Sequence, residues 1–355
     1  MSYQTIEAYF AQFTDDVEEI RVNFTSNHLP DLSRFYKLQI LFCYNNELTC
    51  LPLLPATLKV FNCYNNKITH LPPLPPTLKE LYCSNNQLSW LPPLPSTLKK
   101  IYCSNNQLSW VPPLPAALEI LSCYDNKLTC LPSFPATLIK LECFKNNLAH
   151  LPPLPDTLEI IECANNQLSC FPPFPAALKE LYCYNNQLTC LPTLPSTLEI
   201  LNFYNNNLIY LPPLPSTLEV LYCYNNQLIC LPLLPSNLRI LLCYNNQLIC
   251  LPLMPYTLKI LNFHNNPKID YYIKHNNNIH IYDYIVELQK QIKIVNQFRE
   301  LFYALKYKKQ LHHWLWVHVR EPKIRNKYHP SNLMAMLEEK EDMTLDELDE
   351  LLEKW

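Results

Sequence analysis

Glycine is absent from all 355 residues, against an average usage of about 7%. That absence removes a group of chemistries at once. Walker loops, dinucleotide fingerprints and nucleophile elbows all need glycine where the backbone approaches a phosphate or turns sharply, so none can be written here. Turns that need φ > 0 must fall to Asn or Asp, whose short polar side chains tolerate the left-handed region at moderate cost. Strong net charge is missing as well. The balance of 28 basic and 31 acidic residues leaves −3, too little to select a partner by bulk electrostatics. No apolar run reaches membrane-spanning length and the N-terminus has no signal-type apolar core, which together predict an intracellular, cytoplasmic protein.

What is present is one twenty-residue sentence, repeated without insertion from Leu41 to Ile260 in eleven full copies and continued by a partial copy, Leu261 to Asn266. One copy reads Leu81-Tyr82-Cys83-Ser84-Asn85-Asn86-Gln87-Leu88, then Ser89-Trp90-Leu91-Pro92-Pro93-Leu94-Pro95-Ser96-Thr97-Leu98. Strict self-similarity at this period predicts a curved solenoid, each copy adding one strand and one return segment. Leu81 and Cys83 alternate as a strand requires, so both should point inward and Tyr82 and Ser84 outward. The Asn two places before Leu88 recurs in every copy, at Asn46, Asn66, Asn86, Asn106, Asn126, Asn146, Asn166, Asn186, Asn206, Asn226, Asn246 and Asn266. A buried amide there can serve the backbone of its own turn and of a neighbouring copy, an expected structural ladder. The return Leu91-Pro92-Pro93-Leu94-Pro95 excludes helix, since proline fixes φ, removes donors and extends the residue before it. A thin, extended, polyproline-like back follows, with Leu91, Leu94 and Leu98 inside.

The Leu-Pro-x-Leu-Pro pattern at this period resembles the short leucine-rich repeats of secreted bacterial effectors of the IpaH and YopM kind, over residues 22 to 266. The resemblance implies a parallel β concave face and a protein-binding role. Those families place Val or Leu where this chain has Cys43, Cys63 and Cys83. In its Asn, Tyr, Ile and Lys richness and its helical tail the chain is also similar to leucine-rich repeat proteins of amoeba-infecting giant viruses. IpaH-like effectors carry a C-terminal ubiquitin-ligase domain with a cysteine nucleophile. Here the last cysteine is Cys250, inside the repeats, so that activity is not carried over, and a non-enzyme without catalytic, cofactor or metal site is expected.

Ten of the 16 cysteines occupy the inward strand slot: Cys43, Cys63, Cys83, Cys103, Cys123, Cys143, Cys163, Cys183, Cys223 and Cys243. Phe203 and Phe263 take the same slot, which therefore wants an apolar body, a role free cysteine fills. The other cysteines, Cys50, Cys130, Cys170, Cys190, Cys230 and Cys250, share a second slot with His70, Trp90, Trp110, His150 and Tyr210. Neighbours such as Cys170 and Cys190 would lie near the lower range for a bridge. No Cys-x-x-Cys or tetrahedral Cys/His spacing points to zinc.

The ends of such a stack need covers. At residues 1 to 21, Ile6, Tyr9, Phe10 and Phe13 fall on one helical face and predict an N-terminal helical cap. Val22, Phe24 and Leu29 begin an irregular first copy, so the solenoid is read as 22 to 266. From 267 to 355 a C-terminal helical segment is expected, with Ile281, Tyr284, Ile285, Leu288, Ile292, Val295, Phe298, Phe302 and Leu305 at helical spacing, Pro322 and Pro330 ending the run, and Thr344 with Glu347 capping a last short helix. Ten basic and two acidic side chains lie between Lys290 and Lys327, and nine acidic against two basic from Ser331 onward. Internal pairing is the plainer explanation. Contact with nucleic acid through Lys306, Lys308, Lys309, Arg320, Lys323 and Arg325, or with a membrane through Trp314, Leu315, Trp316 and Val317, would need a basic surface left uncovered. His312, His313, His318 and His329 near Glu321 are types able to do acid-base work or bind metal, but they fit a solvated helical face better.

The outward face of the sheet is where a ligand would be met. Its fourth position carries Tyr44, Tyr64, Tyr124, Tyr184, Tyr204, Tyr224 and Tyr244, with Phe144 and His264 in kind, and its second adds Tyr82, Tyr102, Tyr182 and Tyr222. A large, aromatic, nearly uncharged face suits protein contact, with a partner from a host cell expected. Stacking of tyrosine on tyrosine between copies is the alternative account. Copies 121 to 166 interrupt the pattern with Tyr124-Asp125, Phe144-Lys145 and Ala164-Asn165 and add Glu142 and Glu162, the expected place for partner selectivity. A purely structural component, or an adaptor whose C-terminal helices recruit a second partner, remains as a further reading.

Overall fold

The structure, a computed structural model, describes residues 5–22 and 26–270. Phe24 and every expectation placed on residues 271–355, including the helical pattern, the divided charge and the His and Trp clusters, lie outside the described residues. The chain divides into two compact units, Met1–Leu288 and Gln289–Trp355, and the described residues all belong to the first.

Among the described residues the repeats form one parallel sheet of 13 strands in chain order. Strand β1 is Glu19–Arg21 and β2 is Ile40–Phe42. The rest follow at the repeat period: β3 Val60–Asn62, β4 Glu80–Tyr82, β5 Lys100–Tyr102, β6 Ile120–Ser122, β7 Lys140–Glu142, β8 Ile160–Glu162, β9 Glu180–Tyr182, β10 Ile200–Asn202, β11 Val220–Tyr222, β12 Ile240–Leu242 and β13 Ile260–Asn262. Equal copy length keeps the register constant, so Leu81 pairs with Ile101 and Leu201 with Leu221. The middle residue of each strand from β2 to β12 is fully buried, and so are Cys43 to Cys243 in the slot two residues on. Alternation thus separates an apolar interior from an outward face.

Each strand ends in a tight turn built on the Asn-Asn pair. Its first member has φ between 51° and 56° in all twelve copies, from Asn45 to Asn265. The structure fills this left-handed place with Asn except at Asp125 and Lys145, where lysine has no local side-chain bond to offset the steric cost. Lys145→Asn is therefore expected to stabilise the fold by about 0.5–1 kcal/mol, after loss of a weak surface pair is subtracted. A denaturation midpoint that does not rise would refute it.

The second member of the pair satisfies the turn. Asn86 donates through Nδ2 to the carbonyls of Cys83 at 3.1 Å and of Cys63, in the preceding copy, at 3.0 Å. Its Oδ1 accepts from the Ile68 amide at 3.0 Å. One side chain thereby closes donors and acceptors in two copies, and Asn46 extends the same link into the irregular first copy by accepting from Ser26 N at 2.9 Å.

The returns carry no helix or strand, as prolines dictate. Threonines serve them: Thr97 Oγ1 donates to Leu78 O at 2.8 Å and Pro76 O at 2.7 Å, tying one return to the preceding one. Leu91 and Leu98 are buried, but Leu94 is only half-buried, as are the residues in its slot in other copies, with Met254 the exception. The expectation of Leu94 inside is corrected: it stands between prolines on a return one chain thick, and among the described residues no further element covers that side.

At the N-terminus α1 spans Ile6–Phe10, capped by Thr5, whose side chain accepts from Ala8 N at 3.2 Å. Ile6, Tyr9 and Phe10 are buried and Phe13 is half-buried. The Phe10 ring meets Phe35 at 6.0 Å, and Arg34 Nη2 donates to Phe10 O at 2.6 Å. Only five residues are helical, and β1 falls inside the 1–21 stretch assigned to the cap. Its Ile20 pairs with Leu41 and is fully buried, so strand pairing begins before the repeat is recognisable. At the other end, residues 267–270 are helical after Asn266, with Asp270 N bonded to Asn266 O at 2.9 Å.

Candidate functional site

The outward second and fourth positions meet across neighbouring copies because parallel, in-register strands place equivalent side chains one above another. Tyr184, Tyr204, Tyr224, Tyr244 and His264 form a continuous stack, with ring centroids 4.4–4.7 Å apart and planes within 8–10°. Tyr124 and Phe144 form a second stack at 4.2 Å. Where the fourth residue is Ser84 or Ser104, the rings come from the second position instead, Tyr82 on Tyr102 at 4.8 Å. Tyr44, Tyr64 and Tyr222 belong to none of these stacks, and Tyr44 and Tyr64 are each 40% exposed. Tyrosines of the long stack cover one another's faces and present edges and hydroxyls.

Their acidity reflects that crowding. Burial raises Tyr204 and Tyr224 above the usual phenol range; the Tyr204 and Tyr244 hydroxyls add to the rise at Tyr224, while at Tyr204 the charge effect of Tyr184 adds to it and the hydrogen bond with Tyr224 opposes it. Tyr182 is pushed up to about 12 by burial and by its hydrogen bond to Glu180 at 3.0 Å. Tyr82 likewise donates to Glu80 Oε2 at 2.7 Å, and Glu80 pairs with Lys100 at 3.0 Å. All these phenols are neutral donors at physiological pH.

The charged interruption is paired within itself. Glu142 and Glu162 are register partners on β7 and β8, like charges side by side, and Lys140 stands between them at 2.5 Å from Glu142 and 3.8 Å from Glu162. Burial and the Glu142 carboxylate raise the Glu162 pKa, against the opposing pull of Lys140. Lys145 reaches Asp125 at 3.6 Å across adjacent turns. Lys140 was not singled out in the sequence because it stands at the strand's first position, outside the two outward columns. The signal for it was the Lys-x-Glu spacing with Glu142.

Ala164 breaks the aromatic column between Phe144 and Tyr184. A hollow of about 370 Å³ opens there, walled by those two rings and by Glu162, Tyr182 and Asn202, and reaching Tyr204. Asn202 is 7% exposed, and among the described residues its Oδ1 is the one buried side-chain polar atom without a hydrogen-bond partner. Sequence reasoning passed over Asn202 because asparagine abounds in the repeat. Its place in the second, outward position rather than the turn was the usable signal.

The sixteen cysteines are free, ten buried and six exposed, which follows the two slots. Burial raises the thiols of the inner column, Cys103 and Cys243 to about 12, so they act as hydrophobes rather than nucleophiles. Among the described residues no group of His, Cys, Asp and Glu could hold a metal ion. No helix among them is long and apolar enough to cross a membrane.

A one-strand-per-copy parallel sheet with proline-rich returns and an asparagine ladder defines a short-repeat leucine-rich solenoid. The leucine-rich repeat family model matches residues 77–96. YopM from Yersinia enterocolitica is 34% identical over 70% of this chain, with a TM-score of 0.50, and the chain spans 64% of that protein. The leucine-rich effector protein YopM from Yersinia pestis is 30% identical over 70% of this chain and 88% of its own, with a TM-score of 0.46. A Shigella effector leucine-rich repeat domain is 33% identical over 44% of this chain and 72% of its own, with a TM-score of 0.39. The chain belongs to the leucine-rich repeat family, with repeats of the YopM kind. No curated protein sequence matches it.

Proposed function

We propose that this protein is a non-catalytic protein-binding module whose partner docks on the aromatic outward face of the sheet. The observation that carries the reading is the unbroken row from Tyr184 to His264. It offers rigid aromatic edges and neutral hydroxyl donors along a flat run, the combination that supplies contact area at small entropic cost. Solenoids of this type use their extended sheet surface for such contacts. Likeness to bacterial effectors supports a host-cell protein, met in the host cytoplasm, as the partner.

Selectivity is assigned to the charged copies. Glu142, Lys145 and Glu162 sit beside the row's end, where mixed charges would reject mismatched partners more than they add affinity.

The test is affinity capture from host-type lysate with the intact chain and with Tyr184→Ser, Tyr204→Ser, Tyr224→Ser and Tyr244→Ser combined, after circular dichroism shows both folded. Removing four hot-spot candidates is expected to reduce retention of specific proteins by at least about tenfold. Equal retention by both chains would sink the reading.

A further inference from the structure

We propose that the hollow at Ala164 is a socket for one arginine side chain of the protein partner, its guanidinium held between Phe144 and Tyr184. This deepens the reading above and rests on the sheet face being a protein-binding surface.

The charge argues for a cation. Glu142, Glu162 and, on the next strand, Glu180 gather on this side against Lys140, and Lys140 lies closer to Glu142 than to Glu162. Glu162 is thus the under-compensated carboxylate, and it lines the hollow. Its raised pKa has burial and Glu142 as causes, both of which a bound cation would offset.

The shape argues for a plane. On either side of Ala164 the column carries flat rings at a 4.2–4.7 Å spacing, so one rung is absent where its neighbours present ring surfaces. Guanidinium stacks on aromatic faces, whereas an ammonium is compact and strongly hydrated. Ala164 is itself only 1% exposed, so the occupant lies against the walls rather than against the methyl.

The hydrogen bonding argues for several donors in that plane. The Glu162 carboxylate that lines the hollow accepts only. The guanidinium fork carries five N–H donors and no acceptor, enough to meet the Glu162 carboxylate with two parallel bonds. A partner tyrosine or tryptophan would fill the gap with a ring but bring a single donor and no charge.

The test uses the full chain with 13C-labelled alanine methyls, the Ala164 signal being assigned by its loss in Ala164→Ser. Capped Ala-Arg-Ala is titrated against it, with citrulline and lysine counterparts. A saturable shift of the Ala164 methyl is expected with the arginine peptide in the millimolar range, and about tenfold weaker binding with either counterpart. Glu162→Gln, which keeps the shape, is expected to weaken the arginine response at least about fivefold. An unmoved Ala164 signal, equal responses to citrulline or lysine, or an undiminished response in Glu162→Gln would each overturn the socket. The peptide comparison on the unaltered chain decides the matter even should the variant fold poorly. Because the probe is a peptide and not the partner, failure here leaves the protein-binding reading standing. Failure of the tyrosine capture experiment leaves this response measurable.

Discussion

Asn166→Ala is expected to destabilise the solenoid by about 3–5 kcal/mol, far more than the loss of one exposed asparagine. Asn166 is 8% exposed. Its Nδ2 lies 3.0 Å from Cys143 O, 3.1 Å from Cys163 O and 3.2 Å from Ala164 O, and its Oδ1 accepts from Leu148 N at 2.9 Å. Alanine leaves a buried amide hydrogen and at least one buried carbonyl without that partner, each costing about 1–3 kcal/mol. The damage crosses a copy boundary, so it weakens the interface on which solenoid stability depends. Asn166→Asp should not rescue it, since a carboxylate turns only acceptors toward the carbonyls. Urea unfolding measures the loss, and amide exchange at Leu148 should speed up locally. A cost below about 1 kcal/mol would show that water or a shifted turn replaces the amide.

Phe203→Cys restores the residue most copies carry in that slot, yet it is expected to cost about 2–4 kcal/mol. Phe203 is fully buried, in line with Cys183 and Cys223. Its backbone bonds, Phe203 N to Tyr222 O at 3.0 Å and Asn206 Nδ2 to Phe203 O at 2.9 Å, do not involve the ring and survive the change. What is lost is ring volume, and neighbouring copies held in register by the ladder can collapse only partly into the cavity. The reverse change, Cys183→Phe, should overpack the same column at about 1–3 kcal/mol. Both are read from denaturation midpoints with unchanged m-values. If Phe203→Cys proves neutral, the column adapts to size and the consensus slot has no preferred volume.

Much of the fold was legible because its rules are local and repeated. Absent glycine pointed to Asn or Asp at the left-handed turns, and eleven of the twelve turns with φ of 51–56° carry one of them, Lys145 being the exception. Period-2 alternation placed Leu81 and Cys83 inside, and proline kept helices out of the returns. The misplacement of Leu94 came from treating every leucine as core, although a return without a covering layer has only one buried side. The stretch from Glu19 to Arg21 was hidden because it lies 21 residues before β2, one off the period. On the outward face, the sequence supplied the tyrosine columns but not their division. Stacks end where Ser84, Ser104 and Ala164 interrupt them, and the consequence of each gap depends on whether Tyr82 and Tyr102 or Glu162 stands beside it.

The sequence by itself determined the repeat, the strand phase, the inward cysteine column, the turn chemistry and the place of the charged interruption, since each follows from residue type at fixed spacing. Tertiary structure alone decided which rings stack, that Lys140 sits between Glu142 and Glu162, and that Asn202 lines the hollow at Ala164 while its Oδ1 stays buried without a partner. Those facts depend on the packing of side chains from neighbouring copies. Their contacts lie about a full repeat apart in the chain, and no local propensity encodes how side chains of unequal size settle against one another.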